Sequence, residues 1–292
     1  MIITEIYNGQ GLGNQLFCYV TTRAIALDKG YEFGVMNPQK FKCLNFLDLD
    51  FGKSVIGGSG PEGGPPIVLP NGITNYYAEK QTPHPSVNCV ITEFDKELVN
   101  IPDNTKIDGV MQSEDYFYHR KDEIKQWLKV RNDKDCYDLS NENICVINLR
   151  GGEYRGSPDL YLTKNYWDKA IQNMLKINPK FRFVVITDDV RAGKELFPKY
   201  EVYHFDIGKD YSIIKNAHYL ILSNSSFAFF PAWTSETVKH IIAPKFWARH
   251  NISNGFWSCG YNLYRSWNWM DRDGNLFSYD DCIKEKKVLI QP

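Results

Sequence analysis

Ile144-Cys145-Val146-Ile147-Asn148-Leu149-Arg150-Gly151-Gly152-Glu153-Tyr154-Arg155-Gly156 is the stretch that sets the fold class. It begins as a continuous apolar run, as a strand buried on both faces does. It ends in an arginine, two glycines and a glutamate. Open α/β sheets bind ligands at the carboxyl ends of their strands, so chemistry is expected here. The planar fork of Arg150 can donate two hydrogen bonds at once, which suits a phosphate. Gly151 and Gly152 let the backbone come close to a ligand. The plainer reading is a surface turn in which Glu153 does no more than pair with Arg150.

Outward from this stretch the chain alternates strand and helix. Tyr166, Trp167, Ala170, Ile171, Met174 and Leu175 share one face of a helix predicted over 165–177. Strands are predicted at 181–187, near 201–205, at 218–222 and at 239–243, with helices between them. That is the βαβ rhythm of a parallel sheet. Asp188-Asp189 ends the strand at 181–187. One of the two caps the next helix; the other is placed to hydrogen-bond a ribose or base. Ser223-Asn224-Ser225-Ser226-Phe227 follows the strand at 218–222. Small hydroxyl and amide residues before an apolar run read as a helix start, serving either as a plain cap or as a place for an anion. Pro231 would remove a hydrogen bond from a helix begun at Ser225, so a short first turn or a kink is expected.

The first half opens in the same way. Residues 2–7 read as a strand and 8–15 as a glycine-rich turn. Leu16, Phe17, Val20, Ala24 and Leu27 then recur at helical spacing, to about Lys29. From Gly9 the glycines run G-x-G-x-G, and Asn14 stands where the dinucleotide fingerprint needs its last glycine; no Walker loop follows either. The loop still presents backbone N–H groups at a helix start. Further strands are predicted at 31–35, 87–92 and 105–110, and a helix at 122–130. The glycine- and proline-rich residues 57–75 read as an irregular loop. Arg131-Asn132-Asp133-Lys134-Asp135 is a charged hinge candidate, dividing a domain over 1–131 from one over 132–292.

Composition narrows the function. At 292 residues, with 43% hydrophobic and 14% aromatic content, the chain can bury a sizeable core. A net charge of −1 argues against a general nucleic-acid binder while leaving room for a local basic pocket. No stretch approaches the roughly 20 apolar residues a spanning helix needs. Met1-Ile2-Ile3-Thr4-Glu5 lacks the basic head of a secretory signal, and the seven cysteines form no CxxC pair. A reduced, cytoplasmic setting is therefore expected, with Cys18 and Cys145 as small core residues. Asp48-x-Asp50, Asp133-x-Asp135 and Asp271-x-Asp273 share a metal-site spacing, but three occurrences in one chain read as background. The first alternates with apolar residues like an exposed strand face, and the last is an ordinary turn. No Gly-x-Ser-x-Gly elbow is present.

Several segments together resemble one family. Gly9-Gln10-Gly11-Leu12-Gly13-Asn14-Gln15-Leu16-Phe17 resembles the GGLGNQ-(L/M)-F opening of the bacterial α-1,2-fucosyltransferases, glycosyltransferase family 11. Ser223-Asn224-Ser225-Ser226-Phe227, followed by Phe229, Ala232 and Trp233, resembles its NSSFSWWAAW block. Asp108 to Phe117 is similar to its G-x-x-Q-S-E-x-Y-F segment, and Ala243-Pro244-Lys245-Phe246-Trp247 to its APKxW ending. The order and spacing match across nearly the whole chain. The family's H-x-R-R-G-D-Y appears as Asn148-Leu149-Arg150-Gly151-Gly152-Glu153-Tyr154, which keeps the first arginine and replaces the histidine, the second arginine and the aspartate.

The resemblance implies an α/β chain of GT-B type, two Rossmann-like domains facing a cleft. The N-terminal one would take the acceptor and the C-terminal one the nucleotide sugar. It implies inverting transfer of L-fucose from GDP-β-L-fucose to a glycan hydroxyl, O2 of galactose in the family, with no cofactor and no bound metal. A lipid-linked acceptor would bring the chain to a membrane surface as a peripheral protein. By the same resemblance Arg150, Glu153 and Asn14 are the catalytic candidates. Asn148, Arg150, Gly152, Asp188, Asp189, Ser223, Asn224, Ser225, Ser226 and Phe227 would form the donor site, with Gly11, Gly13 and Gln15 lining it from the other domain. No base is singled out; Glu153 stands first, with Asp108 and Glu114 beside it. The departures at Asn148, Gly151 and Glu153 leave open a different GDP-sugar, or a silent nucleotide- or glycan-binding protein.

Overall fold

The computed structural model describes residues 1–55, 69–83, 90–252 and 262–290. The chain is α/β and divides into two Rossmann-like units, as a GT-B-like chain does: Met1–Gln81 with Glu93–Lys129, and Thr82–Thr92 with Val130–Pro292.

The first unit opens with β1 (Ile2–Glu5) and α1 (Leu12–Lys29). Gly11 caps α1 without a side-chain bond, and Gly30 ends it at φ 67, a left-handed turn that glycine adopts without strain. The Gly30 turn also moves the next strand. Tyr31 donates its N–H back to Ala26 at 2.8 Å, so β2 begins at Phe33 and runs Phe33–Met36 rather than over 31–35. Next come β3 (Asn75–Ala78), β4 (Thr82–Pro83), β5 (Val90–Ile91), β6 (Thr105–Asp108) and α2 (Lys121–Trp127). The sheet runs β2-β1-β6-β3 and is parallel throughout. β6 stops at Asp108 because the backbone turns at Gly109 (φ 147) and Met111 (φ 42). The Glu79 carboxylate secures that turn, accepting from the N–H groups of Val110 and Met111 at 2.9 and 3.0 Å.

Three expectations change here. Residues 48–51 form no strand: the chain turns at 42–46 and runs without regular structure past the buried Phe46 and Leu47, with Asp48 and Asp50 exposed. Of the strand expected at 87–92, the described part is Val90–Ile91, paired antiparallel with Thr82–Pro83. Residues 57–68 of the expected loop lie outside the described residues, and its end, Asn75, already belongs to β3.

The second unit holds β7 (Ile144–Leu149), α3 (Lys164–Ile177), β8 (Arg182–Thr187), α4 (Val190–Leu196), β9 (Glu201–Tyr203) and α5 (Ile207–Asn216). β10 (Tyr219–Leu222), α6 (Phe229–Trp233), β11 (His240–Pro244), β12 (Asn268–Met270), β13 (Leu276–Phe277) and α7 (Tyr279–Ile290) complete it. Its sheet order is β13-β12-β11-β10-β7-β8-β9, with β13 alone antiparallel. β7 lies inside the sheet, between β10 and β8, and every residue of it is buried, as its largely apolar run requires. One face packs Trp167, Ala170 and Met174 of α3 against Ile147, Leu149 and Val185. Pro231 falls inside a five-residue α6 preceded by a 3-10 turn at Ser226–Ala228, the short first turn its missing N–H demands. The tryptophan-rich tail forms an aromatic cluster of Trp247, Tyr264, Trp267 and Trp269 against Phe229.

His250 is buried beside this core, edge-on to Tyr166, with Nδ1 2.8 Å from the Lys245 carbonyl oxygen. Burial holds its pKa down, from 6.5 to about 4. The folded state therefore resists a proton that the unfolded chain takes up. Stability that is full above pH 6.5 is lost as pH falls toward 4, by up to about 3 kcal/mol. Urea titrations of wild type and His250→Gln at pH 7 and 4 check this: the variant should lose less on acidification, and an equal loss removes His250 as the cause.

Candidate functional site

β7 leads through α3 to β8 and on to β9 on one side, and the chain then returns to place β10 on the other side of β7. The strand order thus reverses between β7 and β10. The crevice at such a reversal, outside the carboxyl ends, is where open α/β sheets bind ligands. Backbone bonds join the two strand ends there. Ser223 donates its N–H to the Asn148 carbonyl at 3.0 Å, and Arg150 donates its N–H to the Ser223 hydroxyl oxygen at 3.2 Å. Arg150, Ser223 and Asn148 are thereby brought together at the two strand ends.

The Arg150 guanidinium is held from two sides. Nη1 donates to Asp188 Oδ2 at 2.5 Å and Nη2 to Glu153 Oε1 at 2.8 Å, with the Tyr154 ring 5.5 Å from its carbon. Asp188 sits just past β8 and spends its other oxygen on the Gly151 N–H at 2.7 Å. Asp189 is the helix cap, accepting the Ala192 N–H at 2.9 Å. Arg155 adds a second cation, bonded to Glu195 at 2.7 Å and 3.7 Å from Asp189. Two arginines thus meet four carboxylates, so Arg150 is pre-oriented and its nearest partners are anionic.

The glycines have a different use from the one expected. A Cβ on Gly151 would lie 2.5 Å from that of Asp189, and one on Gly152 (φ 32) 2.7 Å from Asp188 Oδ2. The close approach is to the aspartate pair of the neighbouring strand. A second arginine at position 151, as in the resembling family, has no room for its first carbon. Gly151→Ala should lower the unfolding free energy by about 1–3 kcal/mol, the cost of overpacking. An unchanged urea midpoint would show that Asp189 gives way freely.

The remaining donor-side residues are placed as follows. Asn148 is buried within β7; its Nδ2 reaches the Ile186 carbonyl at 3.5 Å, and its Oδ1 has no hydrogen-bond partner among the described residues. Asn224, also buried, donates to the Leu160 carbonyl at 3.0 Å and likewise leaves Oδ1 without a partner among the described residues. Ser225 acts as a cap, its hydroxyl accepting the Phe227 N–H at 3.4 Å, so that amide is already engaged. Ser226 lies in the 3-10 turn, and the Phe227 ring packs edge-on to Tyr211. The cationic fork of Arg150 is what an anion would meet.

In the first unit, Gly11 caps α1 and Gly13 is buried in its first turn. Asn14 accepts from Gln112 Nε2 at 2.7 Å, which ties the glycine loop to the turn after β6. Gln15 belongs to the core. It is 1% exposed, with Nε2 donating to the Lys40 carbonyl and Oε1 accepting the Lys42 N–H, both at 3.0 Å, so it secures the chain after β2 and does not line a ligand surface. Glu114 is equally buried. Sequence reasoning missed the roles of Tyr7 and Tyr76, whose hydroxyls both reach Asp108; an isolated tyrosine carries no periodic signal. Among the described residues no three His, Cys, Asp or Glu side chains gather as a metal ion would require, and no helix is long and apolar enough to cross a membrane.

No family model matches the chain. It is similar to an alpha-1,2-colitosyltransferase of Escherichia coli, 26% identical over 170 residues that cover 52% of this chain. That match spans 59% of the relative's own length. Among solved structures it is similar to the fucosyltransferase NodZ from Bradyrhizobium, at 12% identity and a TM-score of 0.47, covering 82% of this chain and 92% of that one. A glycosyl transferase family 9 structure from Veillonella parvula, at 12% identity, gives a TM-score of 0.46 over 99% of this chain and 96% of that one.

Proposed function

We propose that the chain is a glycosyltransferase that moves a deoxyhexose from a GDP-linked donor to a glycan hydroxyl. In the first reading the sugar is L-fucose, passed with inversion from GDP-β-L-fucose to O2 of a galactose, without a metal. The observation that carries the proposal is the joined pair of strand ends at the β7/β10 reversal, with Arg150 fixed there by Asp188 and Glu153. As the bond from sugar to diphosphate breaks, negative charge grows on the leaving phosphate. An arginine already oriented can stabilise that charge without reorganising.

A second reading, a different GDP-sugar, is favoured by Gly151. The position of the family's second arginine is closed by Asp189, so one cation that would meet the donor is missing. The similarity to a colitosyltransferase points the same way, since colitose is fucose lacking one ring hydroxyl. Incubating the protein with a panel of GDP-sugars and galactose-terminated oligosaccharides separates the readings. Transfer from GDP-colitose with none from GDP-fucose would establish the second. Calorimetric GDP binding with no transfer from any donor would leave a silent binding protein.

A further inference from the structure

The second unit has an open cavity away from the crevice at the β7/β10 reversal. It lies where the chain enters β12 and leaves β13. Its volume is about 430 Å³, within the roughly 300–1,000 Å³ of small-molecule sites. β12 runs parallel to β11, β11 to β10 and β10 to β7. Arg265, Ser266 and Trp267, which precede Asn268, therefore sit at the amino end of those strands. β13 runs the other way and delivers Tyr279 and Asp280 to the same end. The crevice lies outside the carboxyl ends, so the two places are at opposite ends of one sheet.

The polar groups of the cavity wall are mostly open acceptors. Asn268 donates Nδ2 to the Ile241 carbonyl at 3.0 Å, which fixes the amide and leaves Oδ1 without a bond among the described residues. Asp280 is exposed, and its carboxylate takes no hydrogen bond or ion pair among the described residues. The exposed Ser266 hydroxyl is equally open there. Ser266 has φ 66, a left-handed turn that glycine would hold without strain, so its hydroxyl is carried at a backbone cost. Ser278 is different, because its hydroxyl donates to Asp281 at 2.6 Å and accepts the Asp281 N–H at 3.1 Å as the cap of α7. Arg265 supplies the donor fork, its guanidinium carbon 5.0 Å from the centre of the Tyr279 ring. Trp267 stacks on Trp269 with centroids 5.7 Å apart, which makes its side of the wall rigid aromatic surface.

These groups select the ligand's chemistry. A phosphate or carboxylate brings no proton for Asn268 Oδ1 and would be repelled by Asp280. An ammonium would face Arg265. A neutral molecule rich in hydroxyls, with an apolar face for the rings, satisfies every group. We propose that the cavity is a second glycan site, taking a short neutral oligosaccharide on the second unit, apart from the place of transfer. The inference goes beyond the glycosyltransferase reading and does not require it. Sugar hydroxyls donate to Asp280 and to Asn268 Oδ1 and accept from Arg265. The C–H face of a sugar ring packs on Tyr279 and Trp267.

Calorimetric titration of the full chain with lactose, cellobiose and maltotriose, and with sialyllactose as an anionic control, tests this in wild type, Asp280→Ala and Ser266→Gly. Both side chains are exposed and glycine suits φ 66, so both variants should fold. A neutral sugar should bind the wild type. Asp280→Ala should weaken that binding by about tenfold or more and Ser266→Gly by about threefold, the scales of a hydrogen bond to a charged and to a neutral group. GDP affinity should not change in either. Three results overturn the inference: no neutral sugar binds, sialyllactose binds more tightly than lactose, or affinity in Asp280→Ala stays within about twofold of wild type. Neutral-sugar binding that depends on Asp280, in a protein that transfers from no nucleotide sugar, keeps the cavity's role and removes the glycosyltransferase reading. Transfer without such binding does the reverse.

Discussion

Arg150→Ala is expected to lower sugar transfer by about 10²–10³-fold, the scale on which a single pre-oriented charge-stabilising group contributes to a transition state. Two effects act together. The guanidinium that would meet the leaving diphosphate is gone. Asp188 and Glu153, which it holds at 2.5 and 2.8 Å, are left as unbalanced negative charges beside the same phosphates. Arg150→Lys should recover only part of the loss, because an ammonium carries the charge but cannot bridge two carboxylates as the planar fork does. Single-turnover rates on saturating donor check this. Wild-type turnover in the alanine variant would show that Arg150 serves only to join β7 to β8.

Lys106→Met should cost about 3–5 kcal/mol of stability, the range found when one partner of a buried ion pair is removed. Lys106 and Glu5 side chains are 3% and 1% exposed and 2.6 Å apart, in neighbouring strands of the first sheet. Without Lys106, Glu5 keeps the Asn37 Nδ2 donor at 3.0 Å but has no cation to balance a carboxylate shut away from water among the described residues. Replacing both, as Glu5→Leu with Lys106→Met, should restore most of the loss, since no uncompensated charge then remains. Denaturant midpoints of the three variants measure this. A single-variant loss under about 1 kcal/mol would mean that water reaches Glu5.

The strands and helices of the second half follow from local rules. Five apolar residues around a single asparagine suffice to bury β7 on both sides, and one periodic face suffices for α3. Boundaries were less legible where hydrogen bonds from distant residues fix them. β6 ends where Glu79, 29 positions before Asp108, takes the following amides, and nothing near Asp108 signals this. Gln15 illustrates the same limit. Its place in a glycine loop suggests a ligand, yet the backbone at Lys40 and Lys42 claims both ends of its amide.

Sequence alone determined the α/β class, the βαβ order and the prominence of Arg150. These depend on hydrophobic period and on residue type, which each segment carries within itself. Only the tertiary structure decided what the glycines and carboxylates do. Gly151 is small because Asp189 of the neighbouring strand end stands 2.5 Å from where its Cβ would be. Asp108 became the held carboxylate because parallel pairing set Tyr7 and Tyr76, 101 and 32 positions away in the chain, against one of its oxygens. Those are relations across a sheet, and strand order, which no single segment encodes, creates them.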